Sequence, residues 1–295
     1  MSRFRFISKH RAEFGIKRLC RVLKVSHSGL YAWLAGADRR AARATTDAQL
    51  QEQIRTIHRQ TRGTYGSPRV TVELRAQGVA VNHKRVERLM RVGGIVGVHL
   101  RRRRTTTLPD PAATTIPDLL GRDFTATTAD QRWVGDITYL RAGSSWLYIA
   151  TVVDLYSRRL VGWSLADHLR AELVVDALTA AVATRGGTGS VDGVVFHSDH
   201  GTQYTSSSFA EVCTTHQIVQ SMGTIGDSYD NAVAESFFAT LKRELGRRFD
   251  SPDQARLAVF SWIAFYNHRR RHSTLDYHSP IEYEKISAHR QPAAA

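Results

Sequence analysis

Apolar residues recur along this chain with two different periods, and the change from one to the other falls near residue 130. Over the first third they mark helical faces. Leu19 and Leu23 share one face, Ser26-His27-Ser28 supplies turn and N-cap residues, and Leu30 and Trp33 form a second short stripe. Two short helices joined by a tight turn are predicted, a helix-turn-helix within residues 1–44 whose second helix would enter a major groove. A second unit of the same kind is predicted over 46–98. Leu50, Ile54 and Ile57 stand at i, i+4 and i+7, the spacing of an amphipathic helix. Ser67 reads as an N-cap with Pro68 at the first helical position, and Gly78 closes that helix. Asn82 then caps a helix ended by Gly93-Gly94, with Val86, Leu89 and Met90 turned inward and Lys84, Arg85, Arg88 and Arg91 turned to solvent.

Residues 99–130 carry neither period. They hold four consecutive arginines, Arg101, Arg102, Arg103 and Arg104, then eight threonines and three of the seven prolines, and read as an extended linker lying along a phosphate backbone. Beyond it, residues 132–141 alternate as a strand. Residues 146–153 form the continuous apolar run of a strand covered on both faces, and 159–166 make a third strand. A helix over 172–184, a short strand at 194–196, a helix over 206–216, a strand at 218–222 and helices over 230–245 and 252–268 complete the series. The fold class is therefore α/β: a mixed five-stranded sheet flanked by helices over 131–288, the ribonuclease H arrangement, preceded by all-α helix-turn-helix modules.

Charge sharpens this division. Residues 1–104 contain 24 Lys+Arg against 6 Asp+Glu, whereas the remainder contains 17 against 21. A basic block so segregated points to a polyanion, and nucleic acid is the commonest. No run of 18 apolar residues occurs, which excludes a helical membrane span, and the first residues show no apolar signal region. Cys20 and Cys213 are too far apart in sequence to suggest a disulfide framework or a C-x-x-C zinc site. A soluble, cytoplasmic protein is expected.

Three acids are the candidate chemistry: Asp136, Asp199 and Glu235. Phosphoryl transfer without a covalent enzyme intermediate is commonly run on two hard cations about 4 Å apart, and Mg²⁺ prefers oxygen ligands. Asp136 lies in a strand and Asp199 at the carboxyl end of another, where ligands gather in open α/β sheets. The surrounding motifs are more specific than the spacing. They are Trp133-x-x-Asp136-Ile137-Thr138, Val153-Asp154-Leu155-Tyr156-Ser157-Arg158, His197-Ser198-Asp199-x-Gly201-x-Gln203-Tyr204, Ser228-Tyr229-Asp230-Asn231-Ala232-x-Ala234-Glu235 and Tyr266-Asn267-x-x-Arg270-x-His272.

Together these motifs resemble the DDE transposases and retroviral integrases, and most closely the insertion-sequence-3 family of bacterial transposases, over nearly the whole chain. The resemblance implies a core that binds two Mg²⁺ ions, or Mn²⁺ in their place, through Asp136, Asp199 and Glu235. It implies a metal-dependent polynucleotidyl transferase that nicks the element's ends and joins the freed 3′-hydroxyl to target DNA. Double-stranded DNA is then the partner, with a homo-oligomer assembled on it at the bacterial nucleoid. Family members are often made as a frameshift fusion to an upstream helix-turn-helix and leucine-zipper segment. One departure is local: Ala129-Asp130-Gln131-Arg132 stands where a Pro-Asn pair is usual.

Other residues are open to two readings. On the helix of Glu235, Asn231 and Lys242 fall about 40° and 20° from the acid at 100° per residue. Lys242 either grips a phosphate or complements the helix dipole; Asn231 either contacts DNA or caps the first turn. Asp154 reads as the cap of the turn before Ser157, and His197 and His200 as turn packing or DNA contact, since imidazole seldom serves magnesium. Arg270, in a run of three arginines, is assigned to the DNA backbone, as are Lys84, Arg85 and Arg88. Two rival functions remain: a transposase-derived repressor that binds without cutting, and a general ribonuclease H-type nuclease.

Overall fold

A computed structural model describes residues 3–98, 116–121, 123–223, 232–246 and 248–290. The chain forms two compact units, Met1–Gly97 and Val98–Ala295.

The first unit is all helical. Helix α1 (Arg3–Phe14), α2 (Ile16–Val22) and α3 (His27–Ala35) enclose a small core of Ile7, Leu19, Cys20 and Leu30. The predicted turn is present: the Ser26 hydroxyl accepts the Gly29 N–H at 3.0 Å, the bond expected of an N-cap. Helix α1 has no clear apolar stripe and was not legible from periodicity. The long helix α4 (Ala37–Gln60) begins nine residues before position 46, because the Ala- and Arg-rich segment preceding Leu50 has high helix propensity but no periodic apolar signal. Helix α5 (Ser67–Ala76) is capped by Gly66 and not by Ser67, which is its first residue and lies 3.0 Å from His83 Nε2. Helix α6 (His83–Val92) starts as predicted, with Asn82 Oδ1 accepting the Lys84 N–H at 2.8 Å.

The second unit is built on one sheet. Strands β1 (Arg132–Ala142), β2 (Ser145–Asp154) and β3 (Leu160–Ala166) are joined antiparallel; β4 (Val195–Ser198) and β5 (Val219–Met222) add in parallel, in the order β3-β2-β1-β4-β5. A two-residue strand, β6 (Arg248–Phe249), pairs in parallel with Arg141 and Ala142, a sixth strand absent from the predicted five. Successive residues of a strand face opposite ways, so the apolar run of β2 serves two cores. Trp133, Ala150 and Val152 pack under α7 (Ala171–Thr184) and α8 (Ser207–Thr215), while Val134, Ile149 and Val153 pack under α9 (Ala232–Leu245) and α10 (Pro252–His268). Two glycines permit close approach. A Cβ on Gly135 would fall 2.2 Å from the Phe196 ring, and one on Gly162 would fall 2.2 Å from the Ala177 carbonyl.

A last helix, α11 (Pro280–Arg290), is anchored by charge. Glu284 accepts from Arg159 at 2.7 Å and from Arg185 at 2.6 and 3.0 Å, and Arg185 Nε also lies 2.7 Å from Asp130. The departure from the usual Pro-Asn pair at the start of β1 is thus occupied by a residue of this network. No helix among the described residues is long and apolar enough to cross a membrane.

Candidate active site

Strand register fixes where the first two acids lie. β1 and β4 run parallel with Val134 opposite His197, and their shared ladder ends there. Two residues further along each chain, past the end of the ladder, stand Asp136 and Asp199, close enough that the charge of Asp199 acts on Asp136. Among the described residues this edge of β1 has no ladder partner from Gly135 to Leu140, and pairing resumes at Arg141 with β6. The site occupies that gap. Helix α9 lies across it, held by Ala234, Phe237, Phe238 and Leu241 in the core, which places Glu235 in its first turn.

The electrostatics tie the three acids together. Burial, reinforced by the charges of Asp199 and then Glu235, pushes the Asp136 carboxyl up to about 7, although the Ile137 N–H donated to it at 2.7 Å and the nearby Lys242 ammonium act in the opposite direction. Asp199 Oδ1 accepts the Gly201 N–H at 3.0 Å, which fixes the loop after β4. Lys242 Nζ stands 4.8 Å from the centre of the Tyr139 ring. Tyr204 was not singled out as a functional residue, although it belongs to the Asp199 motif. It is fully buried, and burial together with the charges of Asp136 and Asp199 raises its hydroxyl well above the usual phenol range.

The donor set is all carboxylate oxygen, the chemistry that Mg²⁺ and Mn²⁺ prefer. Among the described residues, however, no three His, Cys, Asp or Glu groups are spaced to hold one ion as they stand. The histidines have structural duties. Nδ1 of His197 lies 2.9 Å from the Ser221 hydroxyl inside the sheet, and Nε2 of His200 lies 2.7 Å from the Gly223 carbonyl. Neither serves the acids.

Comparison with known proteins follows the same division of the chain. The family "HTH-like domain" matches residues 45–104, and "Integrase core domain" families match 126–228 and 216–280. Transposase InsF for insertion sequence IS3A of Escherichia coli (strain K12) is 38% identical over 282 residues, covering 95% of this chain and 97% of the relative. The chain belongs to the insertion-sequence-3 transposase family. A putative transposase for insertion sequence element IS986/IS6110 of Mycobacterium tuberculosis (strain ATCC 25177 / H37Ra) is 36% identical, over 86% of this chain and 93% of that one. Among solved structures, the HTLV-2 integrase catalytic core domain in complex with magnesium aligns with 54% of this chain and 99% of its own at 15% identity, with a TM-score of 0.43.

Several residues that the sequence assigns to DNA in this transposase are engaged in the fold. Arg270 is 6% exposed; its guanidinium holds the Glu244 carboxylate through Nη2 at 2.9 Å and Nε at 3.0 Å, beneath Trp262, whose indole N–H also donates to Glu244 at 3.0 Å. It is a buried structural ion pair and not a DNA contact. Arg85 is half-buried, whereas Arg88 is exposed as the sequence suggests. Both grip Asp47 of α4, Arg85 at 2.7 Å, and so brace α6 against the long helix. Lys84 remains exposed. Asp154 is the turn cap that the sequence suggested: it accepts the Ser157 N–H at 2.7 Å, the Ser157 hydroxyl at 2.8 Å and the Asp130 N–H at 2.8 Å. Arg101–Arg104 and Asn231 lie outside the described residues.

Proposed function

We propose that this chain is the catalytic transposase of an insertion sequence, cutting the element's ends and joining them to target DNA through Asp136, Asp199 and Glu235. The observation that carries the reading is the register that sets Asp136 beside Asp199 under the helix of Glu235, in the open edge of β1. The charges of Asp199 and Glu235 both bear on buried Asp136, an arrangement that favours bound cations, and the three carboxylates' oxygen donors suit Mg²⁺ or Mn²⁺, two ions in all. When bound, such ions activate the attacking oxygen and neutralise the leaving one.

The protein's own groups account for the rest. Ionised Asp136 is disfavoured by burial and by the charges of Asp199 and Glu235, so a bound cation would favour its charged form. Lys242, from the third turn of α9, adds the positive charge that would hold a backbone phosphate near Asp136. In the first step water attacks a phosphorus at the element's end, its proton passes to solvent, and the strand's 3′-oxygen leaves as a hydroxyl. In the second step that hydroxyl attacks a target phosphorus, loses its proton and displaces a target 3′-oxygen. The basic first third supplies the duplex grip, largely through phosphate contacts. Joining two ends at one target requires two sites held together, so a homo-oligomer on DNA belongs to this proposal.

The test is cleavage of supercoiled DNA carrying the element's ends, with Mn²⁺ present. Asp136→Asn, Asp199→Asn and Glu235→Gln should each abolish cutting while leaving end binding nearly intact. Substantial cutting by Asp199→Asn at saturating metal refutes the assignment. Binding without any cutting by the unaltered chain would favour a repressor instead.

A further inference from the structure

Beyond Asp136 the β1–β2 hairpin carries an aromatic cluster that the proposed chemistry does not use. Tyr139 is directly opposite Tyr148 across the ladder, and Arg141 is opposite Trp146. All four therefore share one face of the sheet. Nearer the middle of that face α7 covers Ala150 and Val152, but Tyr139 and Trp146 are left 53% and 42% exposed. Their rings meet edge to face at 5.1 Å, and Tyr148 joins at 6.4 Å from Tyr139. A cation lies over each of the two exposed rings: Arg141 at 5.5 Å from the Trp146 centre and Lys242 at 4.8 Å from that of Tyr139. Lys242 is also the cation that acts on Asp136. Tyr139 follows Asp136 by three residues, about 10 Å along a strand and on the opposite face of the sheet, and Lys242, which acts on Asp136 and lies over the Tyr139 ring, spans the edge of β1 between them.

We propose that Tyr139 and Trp146 form a stacking platform for unpaired nucleotides of the DNA strand whose phosphate lies at the acids. The inference rests on the proposed function for its choice of ligand. Cross-strand aromatic pairs stabilise a hairpin wherever they occur, and that alone explains the Tyr139–Tyr148 contact. It does not explain why the outer rings stay exposed or why each carries a cation. Exposed π faces flanked by positive charge are how proteins hold single-stranded nucleic acid without reading its sequence. The separation from Asp136 is about three nucleotides at 3.4 Å per stacked base. A strand cut at the acids would then have its last few bases drawn round the edge of β1, past Lys242, onto the platform and away from the complementary strand.

The test uses the full chain without added metal and two probes: a 20-base-pair blunt duplex, and the same duplex with a three-nucleotide 3′ overhang containing 2-aminopurine. At 300 mM salt, where phosphate contacts are weakened, the overhang should raise affinity and its fluorescence should be quenched. Trp146→Ala should lose most of the quench and about tenfold or more of the overhang's added affinity, with blunt-duplex binding unchanged. Trp146→Phe should keep both and Trp146→Leu neither, because a ring face and not apolar volume is required. Wild-type quenching by Trp146→Ala, or full affinity in Trp146→Leu, overturns the proposal. So does sedimentation showing that Trp146→Ala separates DNA-free copies of the chain, which would make this face a contact between copies. No cleavage is read in these experiments, so a failure of the platform and a failure of the transposase reading are distinguishable.

Discussion

Replacing Asp136 by Asn should stabilise the metal-free protein, and only in one pH range. In the folded chain this carboxyl is pushed up to about 7, from an ordinary value of 3.8, by burial and by the charges of Asp199 and Glu235. Between those two values the folded state retains a proton that the unfolded state has released. Stability from this group therefore falls as pH rises through the interval, and the penalty is complete above about 7. At 1.36 kcal/mol per unit the full shift corresponds to about 4 kcal/mol. The side chain is not sealed from solvent, so about 2–4 kcal/mol is expected at pH 8. Asn keeps the shape and can still accept the Ile137 N–H, but carries no charge. In EDTA at pH 8, Asp136→Asn should melt about 4–16 °C above the unaltered chain for a unit of this size, and at pH 4 the two should nearly coincide. Tryptophan fluorescence suits the measurement, because four of the five tryptophans (Trp133, Trp146, Trp163 and Trp262) lie in the second unit. Saturating Mg²⁺ should raise the melting point of the unaltered chain at pH 8 and leave that of the variant nearly unchanged. An advantage that is absent at pH 8, or larger at pH 4, refutes the argument that burial and the neighbouring acids disfavour ionised Asp136.

Other outcomes follow from the same contacts. Arg270→Ala leaves the Glu244 carboxylate buried without its partner and should cost about 3–5 kcal/mol of stability by urea unfolding, with DNA affinity of the folded variant unchanged; a selective loss of DNA binding would restore the original assignment. DNA affinity of the whole chain should fall roughly 10³–10⁵-fold between 50 and 200 mM salt if about eight phosphates are neutralised. Exposed Lys84, changed to Ala, should lower that salt slope by about one; an unaltered slope removes it from the interface. Lys242→Ala should slow single-turnover cleavage about tenfold to a hundredfold, and Lys242→Arg should retain much of the rate. If Lys242→Ala instead lowers stability by about 0.3–1 kcal/mol with normal cleavage, the lysine serves only the helix dipole.

The order of strands and helices in the catalytic unit was legible because each element there has a strong local signature. The alternation of β1 and the apolar run of β2 are readable without tertiary context. Helix α1, the first half of α4 and α11 were not legible, since charged and polar residues dominate them and their partners are remote in sequence. Glu284 anchors α11 to Arg159 and Arg185, more than ninety residues away. The acids of the site were legible from their motifs, but their juxtaposition was not. It depends on the pairing of Val134 with His197, which no local pattern announces. The ion pairs of Arg85, Arg88 and Arg270 were not legible for one reason. A basic residue looks solvent-facing until its acidic partner is known, and Asp47 and Glu244 lie 38 and 26 residues away from Arg85 and Arg270.

The motifs of this family also depend on partners remote in sequence, and they serve different purposes. Of the five motifs, the ones holding Asp136, Asp199 and Glu235 converge on the open edge of β1. The other two secure the end of β2 and the start of β3. Asp154 ties the end of β2 to Ser157 and to the backbone of Asp130. Asn267 clamps both the N–H and the carbonyl of Leu160, at 3.0 and 2.9 Å, while the Tyr266 hydroxyl donates to the Arg158 carbonyl at 3.0 Å. These bonds join α10 to the start of β3, and the Arg270–Glu244 pair joins the segment after α10 to α9, the helix that carries Glu235 and Lys242. A side chain at the site must be held within about half an ångström to act on a phosphate. Glu235 obtains that placement through the buried faces of Phe237, Phe238 and Leu241 and through the Glu244 clamp at the far end of its own helix. Arg270 therefore bears on DNA chemistry without touching DNA: its loss should disturb the position of Glu235 as well as the stability of α9, and an Arg270→Lys variant that folds should show slowed cleavage with normal end binding. Normal cleavage in that variant would mean that α9 is placed by its apolar face alone.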